Sequence, residues 1–220
     1  MSNLNQLILS FDHEQNFKNL DFYVSKSNAH VFNLISSWRT TNEKFLNISG
    51  EKFCGKSHLI NIFLEKNKGL KMNSDELSND CLKKINFYKN IVIEDITSSI
   101  NEQLFYSLIN IVEAENKSLI VTSDVSIVDM DFKLPDLKSR SKNFTLSSIE
   151  GPDDDLIFAL VLKNLSDRQI SIDKKLIDYI IKRIDRSYSN ISDFIYTIDQ
   201  LSLKKKKSID FKIIKEALGD

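Results

Sequence analysis

One eight-residue window limits the fold of this chain more than any other feature. Gly50-Glu51-Lys52-Phe53-Cys54-Gly55-Lys56-Ser57 satisfies G-x-x-x-x-G-K-[ST] at every specified position. Its surroundings agree with it. The apolar run Phe45–Ser49 before it predicts a buried strand, and Leu59, Ile60 and Phe63 after it recur at helical spacing. Glycine is scarce, five in 220 residues, and two of the five fall inside the window. Those glycines permit backbone angles that turn successive N–H groups toward phosphate oxygens. The helix that follows adds its positive N-terminal end. Lys56 would neutralise the β- and γ-phosphates, and the Ser57 hydroxyl would ligate Mg²⁺. Cys54 sits inside the loop without a catalytic partner and is expected to be a neutral filler.

Around this window the chain alternates strands with helices. Apolar residues at helical spacing predict a helix from Ser27 to Trp38, with Ser25 and Ser27 as N-caps. Further strands are expected at 70–72, 91–93, 118–122 and 144–146. Helices are expected at 55–66, 75–88, 101–115 and 134–141. Ile91-Val92-Ile93 is continuous and β-branched, as in a parallel strand covered on both faces. The alternation implies an α/β fold with a parallel, doubly wound sheet. The texture changes at Gly151-Pro152-Asp153, a helix-start signal. From there only helices are expected, at 153–166, 173–184, 190–203 and 210–218. The organisation read from the sequence is an N-terminal segment at 1–15, a nucleotide-binding α/β domain at 16–150 and a small all-helical lid domain at 151–220.

Composition removes several classes of function. The formal net charge is −1, so no global attraction to nucleic acid or an anionic membrane is expected. No apolar run approaches the roughly 20 residues that span a bilayer, and no basic, apolar and small-residue signal sequence opens the chain. Cys54 and Cys81 form no spaced set, which suits a reducing, cytoplasmic setting. His13, His30 and His58 lack metal-ligand spacing. Lys204–Lys207 reads as a solvated helix end.

Two strand ends carry candidate chemistry. Glu94-Asp95 closes the third expected strand, and hard cations prefer such carboxylate oxygens beside a P-loop. Thr122-Ser123-Asp124 closes the fourth and would bring polar side chains near the γ-phosphate.

With these pieces in order, the sequence resembles the AAA+ ATPase domain of the DnaA family, and within it the group of DnaA-related regulatory inactivators represented by Hda. Asn16–Asn28 resembles the family's adenine-side segment, Gly50–Ser57 its Walker A, Ile91–Asp95 its Walker B and Thr122–Asp124 its sensor 1 strand. Leu134–Arg140 is similar to the segment with the arginine finger, and Ile184–Arg186 with Thr197–Leu201 to the lid. The resemblance implies ADP or ATP with Mg²⁺ as cofactors. It places Phe22, Tyr23, Val24, Gly50, Cys54, Gly55, Lys56, Ser57, His58 and Asp124 at the nucleotide, and Ser57 and Glu94 at the metal. It assigns Asp95 and Arg140 to catalysis, the latter as a finger reaching a partner's site. Gln6-Leu7-Ile8-Leu9-Ser10-Phe11 resembles the hexapeptide that docks on the β subunit sliding clamp, with Gln6, Leu7, Leu9 and Phe11 as contacts.

Two positions depart from the family pattern. The first Walker B acid is Glu94 where Asp is usual, and Ser192 stands near the place of the sensor 2 arginine. Serine supplies no charge to a phosphate. The chain also ends soon after the lid, where DnaA continues into a helix-turn-helix, so direct sequence-specific DNA binding is not expected. The expected function is a regulator that binds nucleotide, clamp and DnaA and promotes hydrolysis by DnaA, thereby restraining replication initiation. A self-sufficient P-loop ATPase or helicase-loader motor is the alternative. A clamp- or membrane-linked protein without nucleotide is a third. The resident nucleotide, the intrinsic ATPase rate and a homodimer are left open.

Overall fold

In the computed structural model of the chain, residues 22–168, 170 and 172–219 are described. Five strands form one sheet, β1 (Phe45–Ser49), β2 (Gly69–Asn73), β3 (Asn90–Ile96), β4 (Ser118–Ser123) and β5 (Thr145–Ser148). Their spatial order is β2-β3-β4-β1-β5, and every pairing is parallel. Parallel neighbours require crossovers, which the helices provide. These are α2 (Lys56–Lys66), α3 (Asn79–Ile85), α4 (Glu102–Ala114) and α5 (Pro135–Ser141), preceded by α1 (Ala29–Ser37).

Side chains alternate across the pleat, so each strand feeds two cores. Ile91 and Ile93 of β3, with Leu119 and Val121 of β4, face α3, α4 and α5. Val92, Ile120, Leu46 and Ile48 face α1 and α2. All eight are fully buried, each stabilising the fold by about 1.5–3 kcal/mol. That two-sided burial is why the strands read as continuous apolar runs.

Most elements lie where the sequence places them, and the exceptions are local. The expected helix at 75–88 is divided. Asn73 and Glu76 form a reciprocal cap around a short 3₁₀ turn, with the Asn73 N–H donating to Glu76 Oε2 at 2.8 Å. Ser78 then starts α3 afresh by accepting from the Cys81 N–H. Likewise Ser25 and Ser27 do not cap α1. Their hydroxyls bond each other at 2.8 Å, and the N-cap position falls to Asn28. Pro152, read as the first helical residue, lies one position before the N-cap, which is Asp153; the Asp153 Oδ1 accepts from the Leu156 N–H.

Four helices follow the sheet: α6 (Asp154–Asp167), α7 (Lys174–Ile181), α8 (Tyr188–Lys205) and α9 (Phe211–Leu218). Ile157, Val161, Ile180, Ile195, Ile198 and Ile214 meet in a third core of their own. The helices dock onto the sheet through Leu156 and Tyr188, which enter the α1–α2 core. The Tyr188 hydroxyl donates to the Glu150 carbonyl at 3.0 Å. Burial pushes its pKa up to about 12, so the hydroxyl stays a donor at neutral pH. Among the described residues no helix is long and apolar enough to cross a membrane.

One buried cation braces the sheet from the far side. The Lys117 ammonium, in the turn before β4, donates to the carbonyls of Ile85, Asn86 and Tyr88 at 3.0, 3.1 and 2.8 Å. It also pairs with Glu115 at 3.0 Å. Lys117 thereby fastens the Ile85 carbonyl at the end of α3 and the turn that follows it.

Candidate functional site

The C-terminal ends of β1, β3 and β4 converge on a cleft of about 870 Å³ between the sheet and helices α6 and α8. In open parallel sheets, ligands bind at such strand ends. Gly50 follows β1, and its N–H donates to the Ser123 carbonyl at 3.1 Å, tying the loop to β4. A Cβ at Gly50 would lie 2.8 Å from Cys54 Sγ, so only glycine lets the loop close on itself there. Gly55 has φ +98°, a left-handed conformation, and a Cβ on it would also press on the Phe22 ring at 3.1 Å. From Gly55 the chain enters α2 with no side-chain cap. The first amides of the helix are therefore open toward the cleft, the arrangement that receives an anion.

Lys56 is buried, and its ammonium is held by three oxygens. It donates to the carbonyls of Gly50 at 2.5 Å and Glu51 at 3.1 Å, and pairs with Asp124 Oδ1 at 3.1 Å. Asp124 is positioned by a polar relay under the loop. Buried Asn47 of β1 donates to Ser123 Oγ at 2.8 Å, Ser123 donates on to the Val125 carbonyl, and Asn47 Oδ1 accepts from the Ile127 N–H. The turn that carries Asp124 is thereby fixed to β1. Asp95 is held in the same way, its N–H donating to Thr122 Oγ1 at 3.1 Å.

The cleft brings together Phe22, Tyr23, Cys54, Gly55, Lys56, Ser57, His58, Asp95 and Asp124. Phe22 stacks on Phe32 and meets the His58 ring edge-on at 5.2 Å, giving the cleft an aromatic wall. Burial pushes the Cys54 thiol up, so it stays protonated and unreactive at neutral pH. Val24 is exposed and Gly50 lies beneath the loop; neither lines the cleft. Gln6, Leu7, Leu9 and Phe11 lie outside the described residues.

Glu94, expected at the metal, is placed differently. A bulge between Ile93 and Ile96 separates the directions of the two consecutive acids. Asp95, at φ +54°, turns outward into the cleft. Glu94 stays buried, and its Oε2 lies 2.6 Å from the Lys71 ammonium of β2. As placed, Glu94 therefore does not fit a resident Mg²⁺: the carboxylate expected at the ion already has its own counter-ion. Arg140 is also engaged within the chain. It lies on α5, away from the cleft, and its guanidinium pairs with Glu113 of α4.

Sequence reasoning missed the contribution of the lid. Leu160, Lys163, Asn164 and Ile195 of α6 and α8 line the cleft together with Ser192, so serine does stand at the site where a charge was missed. It also missed Glu51. This loop residue reaches across to the start of α8. Its carboxylate accepts from the Ser187 hydroxyl at 2.6 Å and from the Tyr188 and Ser189 amides at 3.1 Å each. The signal was present in Ser187, an N-cap residue at a helix start, but its partner is 136 residues away.

Partial burial pushes the Glu51 carboxyl up. The Ser187 hydroxyl, the Ser189 and Tyr188 amides and the Lys56 charge outweigh it and hold the group below its ordinary 4.5. A depressed carboxyl contributes stability that is fully present above pH 4.5 and lost as pH falls through the lower, folded-state value. Glu51→Ala is expected to cost about 1 kcal/mol, as for loss of a helix N-cap. The deficit, read from urea midpoints at neutral pH, should shrink in acid, where the wild-type carboxylate is protonated too. A deficit that is unchanged in acid would count against the latch.

The strand order, the glycine loop after β1 and the helical lid define a P-loop α/β fold of the AAA+ type. No family model matches the sequence. Curated relatives do. The chain is 25% identical over 190 residues to the chromosomal replication initiator protein DnaA of Caldanaerobacter subterraneus subsp. tengcongensis, covering 76% of this chain and 43% of DnaA. It is 26% identical over 191 residues to DnaA of Lachnoclostridium phytofermentans, covering 76% and 42%. The chain thus spans less than half the length of the curated relatives it matches. Among solved structures, domain III of Thermotoga maritima DnaA superposes with a TM-score of 0.74 at 16% identity, over 93% of this chain and 96% of that domain. AMPPCP-bound DnaA from Aquifex aeolicus superposes with a TM-score of 0.67 at 17% identity, over 83% of this chain and 65% of that one. The chain has the AAA+ fold and is similar to DnaA over the region of its domain III.

Proposed function

We propose that this chain is a DnaA-related regulator that holds an adenine nucleotide and acts on a partner ATPase. One observation carries the nucleotide part: the glycine loop, the Lys56 ammonium, the open N-terminus of α2 and an aromatic wall at Phe22 face a single cleft. The Aquifex DnaA with the same fold binds AMPPCP. A polyphosphate would take over the Lys56 ammonium from its carbonyl partners, and the base would lie against Phe22, Tyr23 and the apolar face of α6. Turnover within the chain is expected to be slow. Ser192 supplies no lid charge to the γ-phosphate, and Glu94 is committed to Lys71.

The regulatory part rests on Arg140 and on residues 6–11. The clamp-type hexapeptide would tether the chain to the sliding clamp and so raise its effective concentration near DnaA. Arg140 would then leave Glu113 and enter the nucleotide site of DnaA, where an arginine finger accelerates hydrolysis by about 10³–10⁵. The test adds the whole chain to ATP-loaded DnaA with DNA-loaded clamp and measures phosphate release. Stimulation is expected, and Arg140→Ala should remove it by at least tenfold while leaving nucleotide binding intact. Equal stimulation by the variant would end the finger assignment.

A second reading, a self-sufficient ATPase, is favoured by Asp95 and Asp124, which both line the cleft. It predicts steady hydrolysis by the isolated chain, sensitive to Asp95→Asn.

A further inference from the structure

The pairing of Glu94 with Lys71 has a chemical consequence. Lys71 stands opposite Val92 in the β2–β3 register, and Glu94 is two residues further along β3. Side chains two apart share a sheet face, so both point to the α1–α2 side, where Val92 is buried. On that face lies α2, the helix that carries the phosphate loop. The Lys71 ammonium is fastened there twice, to Glu94 Oε2 at 2.6 Å and to Asn61 Oδ1 of α2 at 3.0 Å. The Glu94 side chain is 5% exposed and Lys71 is 34% exposed.

In a P-loop site the acid at this strand end offers its charge to the metal that accompanies the phosphates. Here that charge is already neutralised by the chain itself. The other oxygen, Glu94 Oε1, is buried without a hydrogen-bond partner. That single oxygen could still join phosphate and water oxygens around Mg²⁺, which is usually held by one or two carboxylates, but it belongs to a carboxylate whose charge Lys71 already balances. An ion placed on it would also sit within about 5 Å of the Lys71 ammonium, and like charges repel more strongly as the surroundings dry. Asp95, the neighbouring acid, lines the cleft but leaves the strand by a different backbone path. Its amide is pinned to Thr122 and its backbone is turned to φ +54°.

We propose that Lys71 is a built-in counter-ion at the acidic strand end, so that this chain holds nucleoside di- and triphosphates with an affinity independent of a divalent cation. The inference rests on the nucleotide-binding reading above and deepens it. Nucleotide would then be a lasting structural ligand that keeps loop and lid together, and metal-assisted hydrolysis would be disabled at its source.

The test is calorimetric titration of the full chain with ADP and with AMPPCP, each in EDTA and in Mg²⁺. For the wild type the two Kd values of each nucleotide should agree within about threefold. Lys71→Met frees Glu94, and its AMPPCP affinity should become more than about tenfold tighter in Mg²⁺ than in EDTA. Lys71→Arg keeps the charge and should retain metal independence. If Lys71→Met fails to fold, the wild-type pair of titrations decides alone. A wild-type affinity that drops more than about tenfold in EDTA overturns the counter-ion role while leaving nucleotide binding standing. Absence of binding in both buffers overturns the nucleotide reading itself and the counter-ion role with it.

Discussion

Replacing Lys56 with alanine is expected to weaken adenine-nucleotide binding by about two to three orders of magnitude, or about 3–4 kcal/mol. Three effects combine. The ammonium is the buried positive charge at the loop, and charge-assisted hydrogen bonds to phosphate are worth about 1.5–3 kcal/mol each. Its removal also leaves Asp124 without its cation and the Gly50 carbonyl without that donor, both beside the incoming phosphates. An uncompensated carboxylate there repels a polyanion. Lys56→Arg should not rescue binding, because the planar guanidinium does not fit a slot shaped for one ammonium between two carbonyls. Titration with labelled ADP measures the effect, with circular dichroism and thermal melting as controls for folding. A Kd within threefold of wild type would mean that the loop does not hold phosphate.

The second large effect concerns stability. Lys117→Ala is expected to lower the unfolding free energy by about 1.5–3 kcal/mol, the range for losing hydrogen bonds to a charged group. The ammonium is the shared partner of three carbonyls at the end of α3 and of Glu115. Without it the Asn86 and Tyr88 carbonyls lose that donor and Ile85 keeps only the Tyr88 N–H at 3.0 Å, at about 1–3 kcal/mol for each group left buried and unpaired. Local relaxation and water at the exposed edge of the turn keep the sum below the total of the parts. Guanidinium denaturation of the two proteins measures the difference. Because α3 is remote from the cleft, nucleotide affinity measured well below the melting point should be unchanged. A loss below about 1 kcal/mol would show that water replaces the ammonium readily.

Both effects involve lysines, yet only one was legible in the sequence. Lys56 stands in a motif whose spacing encodes a backbone shape, so its role follows from its neighbours in the chain. Lys117 precedes a strand in an ordinary Glu115-Asn116-Lys117 turn, and its partners lie about 30 residues earlier. Glu51 and Lys71 show the same contrast. Glu51 occupies a free x position of the P-loop, and Lys71 occupies a solvent-accessible strand position. The conformations of these long side chains depend on what faces them after folding.

Glu94 and Asp95 mark the sharpest division. Their place at the end of a buried strand was readable, because Ile91-Val92-Ile93 can only be covered on both faces. Which of the two carboxylates enters the cleft was decided by a bulge in the β3–β4 register, which exists only when both strands are paired. The sequence alone determined the strand–helix alternation, the glycine loop after the first strand and the change to helices after residue 150. Those properties are local, carried by glycine placement and by apolar periods of two and 3.6 residues. Tertiary structure decided the partner of each charge: Lys71 with Glu94, Glu113 with Arg140, and Glu51 with the start of α8. Side-chain pairs across a fold are chosen by distance in space, which a local pattern does not record.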